Sequence, residues 1–134
     1  MPVPEPPQDR RGPESPLVLI VDDDARNLKL ARDVLLAAGF RTLGARNGAE
    51  AVVLGVDQLP DVILMDLRLP DMDGTEAARI LADGARTAAI PVVALSAVEF
   101  AGDTAWLTRA GFAGWLEKPI DVESFPHQVR RFCA

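Results

Sequence analysis

The sequence predicts an α/β fold: a doubly wound five-stranded parallel sheet in the order 2-1-3-4-5, with five helices on its two faces. Three observations predict it. Five short apolar runs alternate with five segments of helical character along the 134 residues. The three richest runs, beginning near Leu17, Val62 and Ile90, lack the polar alternation of a half-exposed strand, as expected of strands covered on both faces. Each of these runs ends at a polar side chain, Asp22, Asp66 or Ser96, where an open sheet of this kind binds ligands.

Residues 1–16 hold six of the eleven prolines and no aromatic residue, too little apolar surface to offset ordering entropy. They are expected to form a disordered tail, with one domain over 17–134. The first strand spans 17–21. Asp24 is placed to cap a helix over 25–38, whose Leu28, Ala31, Leu35 and Ala38 share one face, and Gly39 ends it. A weaker strand at 41–45 leads to Asn47-Gly48-Ala49-Glu50, the spacing of a capping box, and a helix to about residue 56. The strand 62–65 stops at Asp66. After Leu67-Arg68-Leu69-Pro70, Asp73 with Glu76 three residues on predicts a second capping box and a helix to about 82. A strand at 90–95 ends at Ser96, a helix is expected over 102–110, and a strand at 113–116 precedes Glu117-Lys118-Pro119. The last helix is expected over 122–132. The two weaker strands belong at the edges, which yields the stated order.

The formal net charge of −6 argues against a nucleic-acid surface. No apolar run is long enough to span a bilayer and the N-terminus lacks a signal-peptide core, so a soluble cytoplasmic protein is expected. The single cysteine, Cys133, forms no internal disulfide. His127 has no acidic partner in its neighbourhood and reads as a surface residue. Asp71-x-Asp73-Gly74 has the start of a calcium loop, but the twelfth position would be Ile80 and Pro70 interrupts it.

The strand order brings the exits carrying Asp22, Asp23 and Asp66 together. Crowded carboxylates raise one another's pKa unless a cation sits among them, and an all-oxygen donor set suits Mg2+. Ser96 supplies a hydroxyl and Lys118 an ammonium at the same edge. Acid, hydroxyl and cation describe a site where a carboxylate attacks phosphorus while the charge on the phosphoryl oxygens is neutralised.

The segments V-D-D-D, L-M-D-L-R-L-P-D-M-D-G, V-V-A-L-S-A and W-L-E-K-P-I, in this order and spacing, resemble the receiver domains of two-component response regulators. Gly102-Asp103 and Ala110-Gly111-Phe112 are similar to stand-alone single-domain members. The strand order is the one known for chemotaxis receivers and flavodoxin, so it is shared with the family rather than particular to this chain. The resemblance implies that Asp66 accepts a phosphoryl group from a kinase phosphohistidine. It also implies that Asp23, Asp66 and the Arg68 carbonyl hold Mg2+, with Asp22 acting through water, and that Ser96 and Lys118 bind the phosphoryl oxygens. A cis Lys118-Pro119 bond and a switch running from Ser96 to the ring at position 115 follow from the same likeness. Trp115 stands where the family has Tyr or Phe. The implied partners are a sensor histidine kinase or phosphotransfer protein and a downstream protein target, with no DNA and no membrane, and the chain is expected as a monomer or weak dimer. Trp106, expected half-exposed on the fourth helix, is a candidate partner contact.

Other functions fit less well. A phosphorylation-independent docking module would not need all these site positions filled. A dehalogenase-like hydrolase wants an acid two residues after its nucleophile, where this chain has Arg68. A dinucleotide binder wants a Gly-rich loop after the first strand, where it has three aspartates. The chain is therefore expected to be no enzyme, beyond promoting its own phosphorylation and dephosphorylation.

Overall fold

A computed structural model describes residues 15–96 and 105–133. The expected tail lies outside these residues except for its last two positions, as does the start of the expected helix at 102–104. The elements run β1 (Leu17–Val21), α1 (Ala25–Ala37), β2 (Arg41–Ala45), α2 (Gly48–Gln58), β3 (Val62–Asp66), α3 (Gly74–Asp83), β4 (Val92–Ser96), α4 (Ala105–Arg109), β5 (Gly114–Glu117) and α5 (Phe125–Phe132). All strand pairs are parallel, in the order β2-β1-β3-β4-β5, as the sequence predicts.

Successive strand residues face opposite sides of the sheet, so the core divides in two. Val18, Ile20, Val62, Leu64, Val93, Leu95 and Leu116 pack with Leu35, Phe40, Phe125 and Val129 beneath α1 and α5. Leu19, Val21, Ile63, Met65, Val92 and Ala94 pack with Ala51, Ala77, Ala78, Leu81 and Leu107 beneath α2, α3 and α4. Register aligns Val21 with Met65 and Asp66 with Leu95, so the acidic exits of β1 and β3 come level.

Several boundaries differ from expectation. β4 begins at Val92 rather than at 90, because Pro91 has no N–H to donate; its carbonyl still accepts from the Ile63 N–H at 3.0 Å. α5 begins at Phe125 rather than 122, because the preceding residues form a turn. In it the Ser124 hydroxyl donates to Asp121 at 2.8 Å, and the Phe125 N–H donates to the Asp121 carbonyl at 2.8 Å. α2 continues to Gln58 and ends on Leu59 in the left-handed region, φ 47°.

The caps divide as well. Asp24 caps α1, its Oδ1 accepting from the Arg26 and Asn27 N–H groups at 2.9 and 3.2 Å. Asn47 accepts from the Glu50 N–H at 2.8 Å, but Glu50 returns its bond to the Arg46 N–H rather than to Asn47. The second capping box does not form. Asp73 makes no side-chain cap bond, and Glu76 pairs instead with Arg79 one turn on, at 2.8 Å.

Candidate functional site

The alternation that builds the core also aims the site. Asp22 continues the series Val18, Ile20; Asp66 continues Val62, Leu64; Lys118 continues Leu116. All three therefore leave their strands toward the α1/α5 side. They meet there. Lys118 Nζ donates to Asp66 Oδ2 at 2.8 Å and lies 2.7 Å from Asp22 Oδ2, and Asp22 is only 2 % exposed. The Lys118-Pro119 bond is cis, as the resemblance implies.

Burial opposes the charge on Lys118, but hydrogen bonds with Asp22 and Asp66 outweigh it and hold the ammonium above the ordinary lysine value. Asp23 is exposed at the rim. Carboxylate oxygens of Asp22, Asp23 and Asp66 lie within 4.8 Å of one another. One ammonium against three carboxylates leaves the cluster anionic. Its all-oxygen donor set fits a hard divalent cation such as Mg2+ rather than a metal that wants sulfur or imidazole.

The loop after Asp66 folds tightly back. The Arg68 N–H donates to Asp66 Oδ1 at 3.1 Å, the Gly74 N–H donates to the Leu67 carbonyl at 2.9 Å, and the backbones of Arg68 and Asp73 pair as an isolated antiparallel bridge. Gly74 is required by this closure, because a Cβ there would run into the Asp66 carbonyl oxygen. Asp22 likewise steadies its own loop by accepting from the Asp24 N–H at 2.9 Å.

Ser96, buried at the end of β4, continues the opposite series Val92, Ala94. It shares the α2/α3/α4 side with Trp115, which pairs with Ala94 in register. The Lys118 N–H donates to the Ser96 carbonyl at 2.8 Å, so the two expected phosphoryl-binding residues are tied through the backbone. Trp115 and Trp106 are both half-buried against the same core cluster, and Leu107 is buried, as helical spacing predicts. His127 is exposed.

Two residues at the rim escape sequence reasoning. Arg46 Nη2 donates to the Asp23 carbonyl at 3.0 Å. Asp71 accepts from the Gly48 and Ala49 N–H groups at 2.8 and 2.9 Å, and these bonds hold its carboxyl below the ordinary value. Both act across more than twenty residues of sequence, and no local pattern marks them.

A cleft of about 340 Å³ opens beside Asp22 and Lys118, walled by Leu30, Ala31, Pro119 and Ile120. Among the described residues no helix is long and apolar enough to cross a membrane.

Residues 18–130 match the model of the response regulator receiver domain. The polar-differentiation response regulator DivK of Brucella anthropi is 37% identical over 115 residues, covering 86% of this chain and 94% of that protein. Among solved structures, the chemotaxis response regulator CheY4 of Vibrio cholerae superposes with a TM-score of 0.82 at 25% identity, covering 88% of this chain and 98% of that one. The receiver domain of the sensor histidine kinase PA1611 from Pseudomonas aeruginosa, solved with a magnesium ion coordinated in its active-site cleft, reaches 0.80 at 29% identity. That match covers 89% of this chain and 98% of the other.

Proposed function

The chain belongs to the response regulator receiver family, and from that premise we propose that it is a phosphorylation switch with Asp66 as acceptor and a histidine kinase or phosphotransfer protein as donor. The observation that carries the proposal is the convergence of Asp66, Asp22 and Lys118 at the carboxyl ends of β1, β3 and β5. A carboxylate oxygen of Asp66 attacks the phosphorus of an N-phosphoimidazole. The P–N bond breaks, its electron pair stays on the ring nitrogen, and a ring protonated at its other nitrogen leaves as neutral imidazole. The product is an acyl phosphate on Asp66.

Lys118 already bonds the acceptor carboxylate and transfers its hydrogen bond to a phosphoryl oxygen as charge accumulates there. Ser96 donates its hydroxyl to a second phosphoryl oxygen. Asp23, Asp66 and the Arg68 carbonyl would hold Mg2+, with Asp22 acting through water, and a bound ion would supply further neutralisation of the phosphoryl group. The magnesium ion in the related PA1611 receiver and the oxygen cluster of this chain support that assignment.

Movement of Ser96 toward the phosphoryl group unloads the face it shares with Trp115. That ring then passes the change to the α4–β5–α5 surface, where a downstream protein reads it, with Trp106 as one contact. The chain in this reading catalyses only its own phosphorylation and dephosphorylation.

Incubation with a small acyl phosphate and Mg2+, followed by intact mass measurement, is expected to show one added phosphoryl group. Omission of Mg2+ or the substitution Asp66→Asn should abolish it. An undiminished adduct in Asp66→Asn would remove Asp66 from the role.

A further inference from the structure

We propose that Asp71 is a positioning residue for this site, acting by fastening the β3–α3 loop to the N-terminus of α2; the inference rests on the reading of Asp66 and Arg68 as acceptor and metal-binding group. The loop is joined to β3 at Asp66 and to α3 at Gly74, and Asp71 lies near its far end. Its two carboxylate oxygens divide their work, Oδ1 taking the Gly48 N–H and Oδ2 the Ala49 N–H. These are two of the donors that a helix N-terminus leaves without intrahelical partners, so the loop and the helix satisfy one another.

Packing closes the same joint. A Cβ on Gly48 would sit 2.5 Å from Met72 Cγ, so the helix approaches the residue after Asp71 as closely as a glycine permits. The loop is thus held to its own start by the Gly74 N–H on Leu67, across itself by the Arg68–Asp73 backbone bridge, to β4 by the Leu67 N–H on the Leu95 carbonyl at 3.4 Å, and outward to α2 by Asp71. Among these bonds the last is the one that ties it to α2.

The far side of the same helix end reaches the other acidic loop. Glu50 accepts from the Arg46 N–H at 2.8 Å, and the Arg46 guanidinium holds the Asp23 carbonyl. The N-terminus of α2 therefore braces both loops that carry the carboxylate cluster. It adds no ligand of its own. Asp71 sets the distance between them, and with it the placement of the Arg68 carbonyl and of the Asp66 carboxylate, whose Oδ1 the Arg68 N–H holds.

Asn47 is the internal control, because its side chain caps the same helix end through the Glu50 N–H and, among the described residues, makes no hydrogen bond to the β3–α3 loop. In the full chain, Asp71→Ala is expected to weaken Mg2+ binding, followed by calorimetric titration, by about ten-fold, the usual size of an outer-shell loss. Asn47→Ala should leave it within about two-fold. Asp71→Asn keeps one acceptor oxygen and should recover part of the affinity.

A second readout needs no metal. Hydrogen exchange of the Arg68 and Gly74 amides should accelerate about ten-fold in Asp71→Ala and stay unchanged in Asn47→Ala. Equal effects of the two alanine substitutions, or unaltered exchange at Arg68 and Gly74 in Asp71→Ala, overturn the positioning role. If wild-type protein takes up no Mg2+ while Asp71→Ala alone loosens the two amides, the metal assignment fails and the brace stands.

Discussion

The two faces of the sheet are packed by opposite means. Beneath α1 and α5 the space is filled by bulk: Leu35, Phe40 and Phe125 are buried, and the Arg130 guanidinium lies 4.6 Å from the Phe40 ring centroid while donating to the Ala38 carbonyl. Beneath α2 and α3 the backbone itself comes close. Ala51, Ala77 and Ala78 line that core, and Gly48, Gly55 and Gly74 stand where a Cβ would meet Met72, Leu81 and Asp66. Asp22, Asp66 and Lys118 project toward the bulky face, yet the loop that carries Asp66 forward is held on the close-packed one. Chemistry points to one side and its mechanical support comes from the other.

Each face can be stressed separately. Phe40→Ala removes a fully buried ring and the seat of Arg130, and should lower unfolding free energy by about 4 kcal/mol in denaturant titration. The fraction that remains folded should still take up phosphate, because nothing at Asp66 has moved. Gly74→Ala should cost about 3 kcal/mol and also abolish uptake, because the new Cβ and the Asp66 carbonyl cannot both keep their places. Normal uptake in Gly74→Ala would break the division between the faces.

Acid should loosen a helix on either face. The Asn27 and Arg26 N–H groups hold the Asp24 carboxyl below its ordinary 3.8, and the Gly48 and Ala49 N–H groups do the same for Asp71. The unfolded chain then binds more protons than the folded one in this range. Both contributions are complete above 3.8 and are lost as pH falls through the lower folded values. Stability measured against pH should fall less steeply there in Asp24→Asn and in Asp71→Asn than in wild type.

The smallest effect is chemical. Burial, with the charge of Asp61 adding to it, pushes the Cys133 thiol up to about 11. Its alkylation at pH about 8 should run about a hundred-fold slower than that of an ordinary exposed thiol, because so little thiolate is present. A rate equal to that of a free thiol would mean that the end of α5 is not docked against the α1/α5 core.

Much of this was legible in the residues. The acidic strand ends and the α1 cap depend on neighbours in sequence, which apolar runs and cap spacing report directly, and the sheet order was legible because the two weaker runs belong at the edges. The second capping box failed for a physical reason: Glu76 had Arg79 one turn away, a partner as local as the cap it was expected to complete. α5 starts three residues later than expected, because Asp121 bonded to the Ser124 hydroxyl and the Phe125 N–H closes a turn before it.

The sequence by itself determined which side chains reach the carboxyl edge, because a strand's period of two and its polar end are written in consecutive residues. Only the tertiary structure decided that Lys118 spans both Asp22 and Asp66, that Arg46 holds Asp23, and that Asp71 fastens the acceptor loop to α2. Those bonds join residues 22 to 96 positions apart in sequence that the parallel sheet brings side by side, and the Asp71 bonds also need Gly48, whose missing Cβ lets the start of α2 lie against Met72.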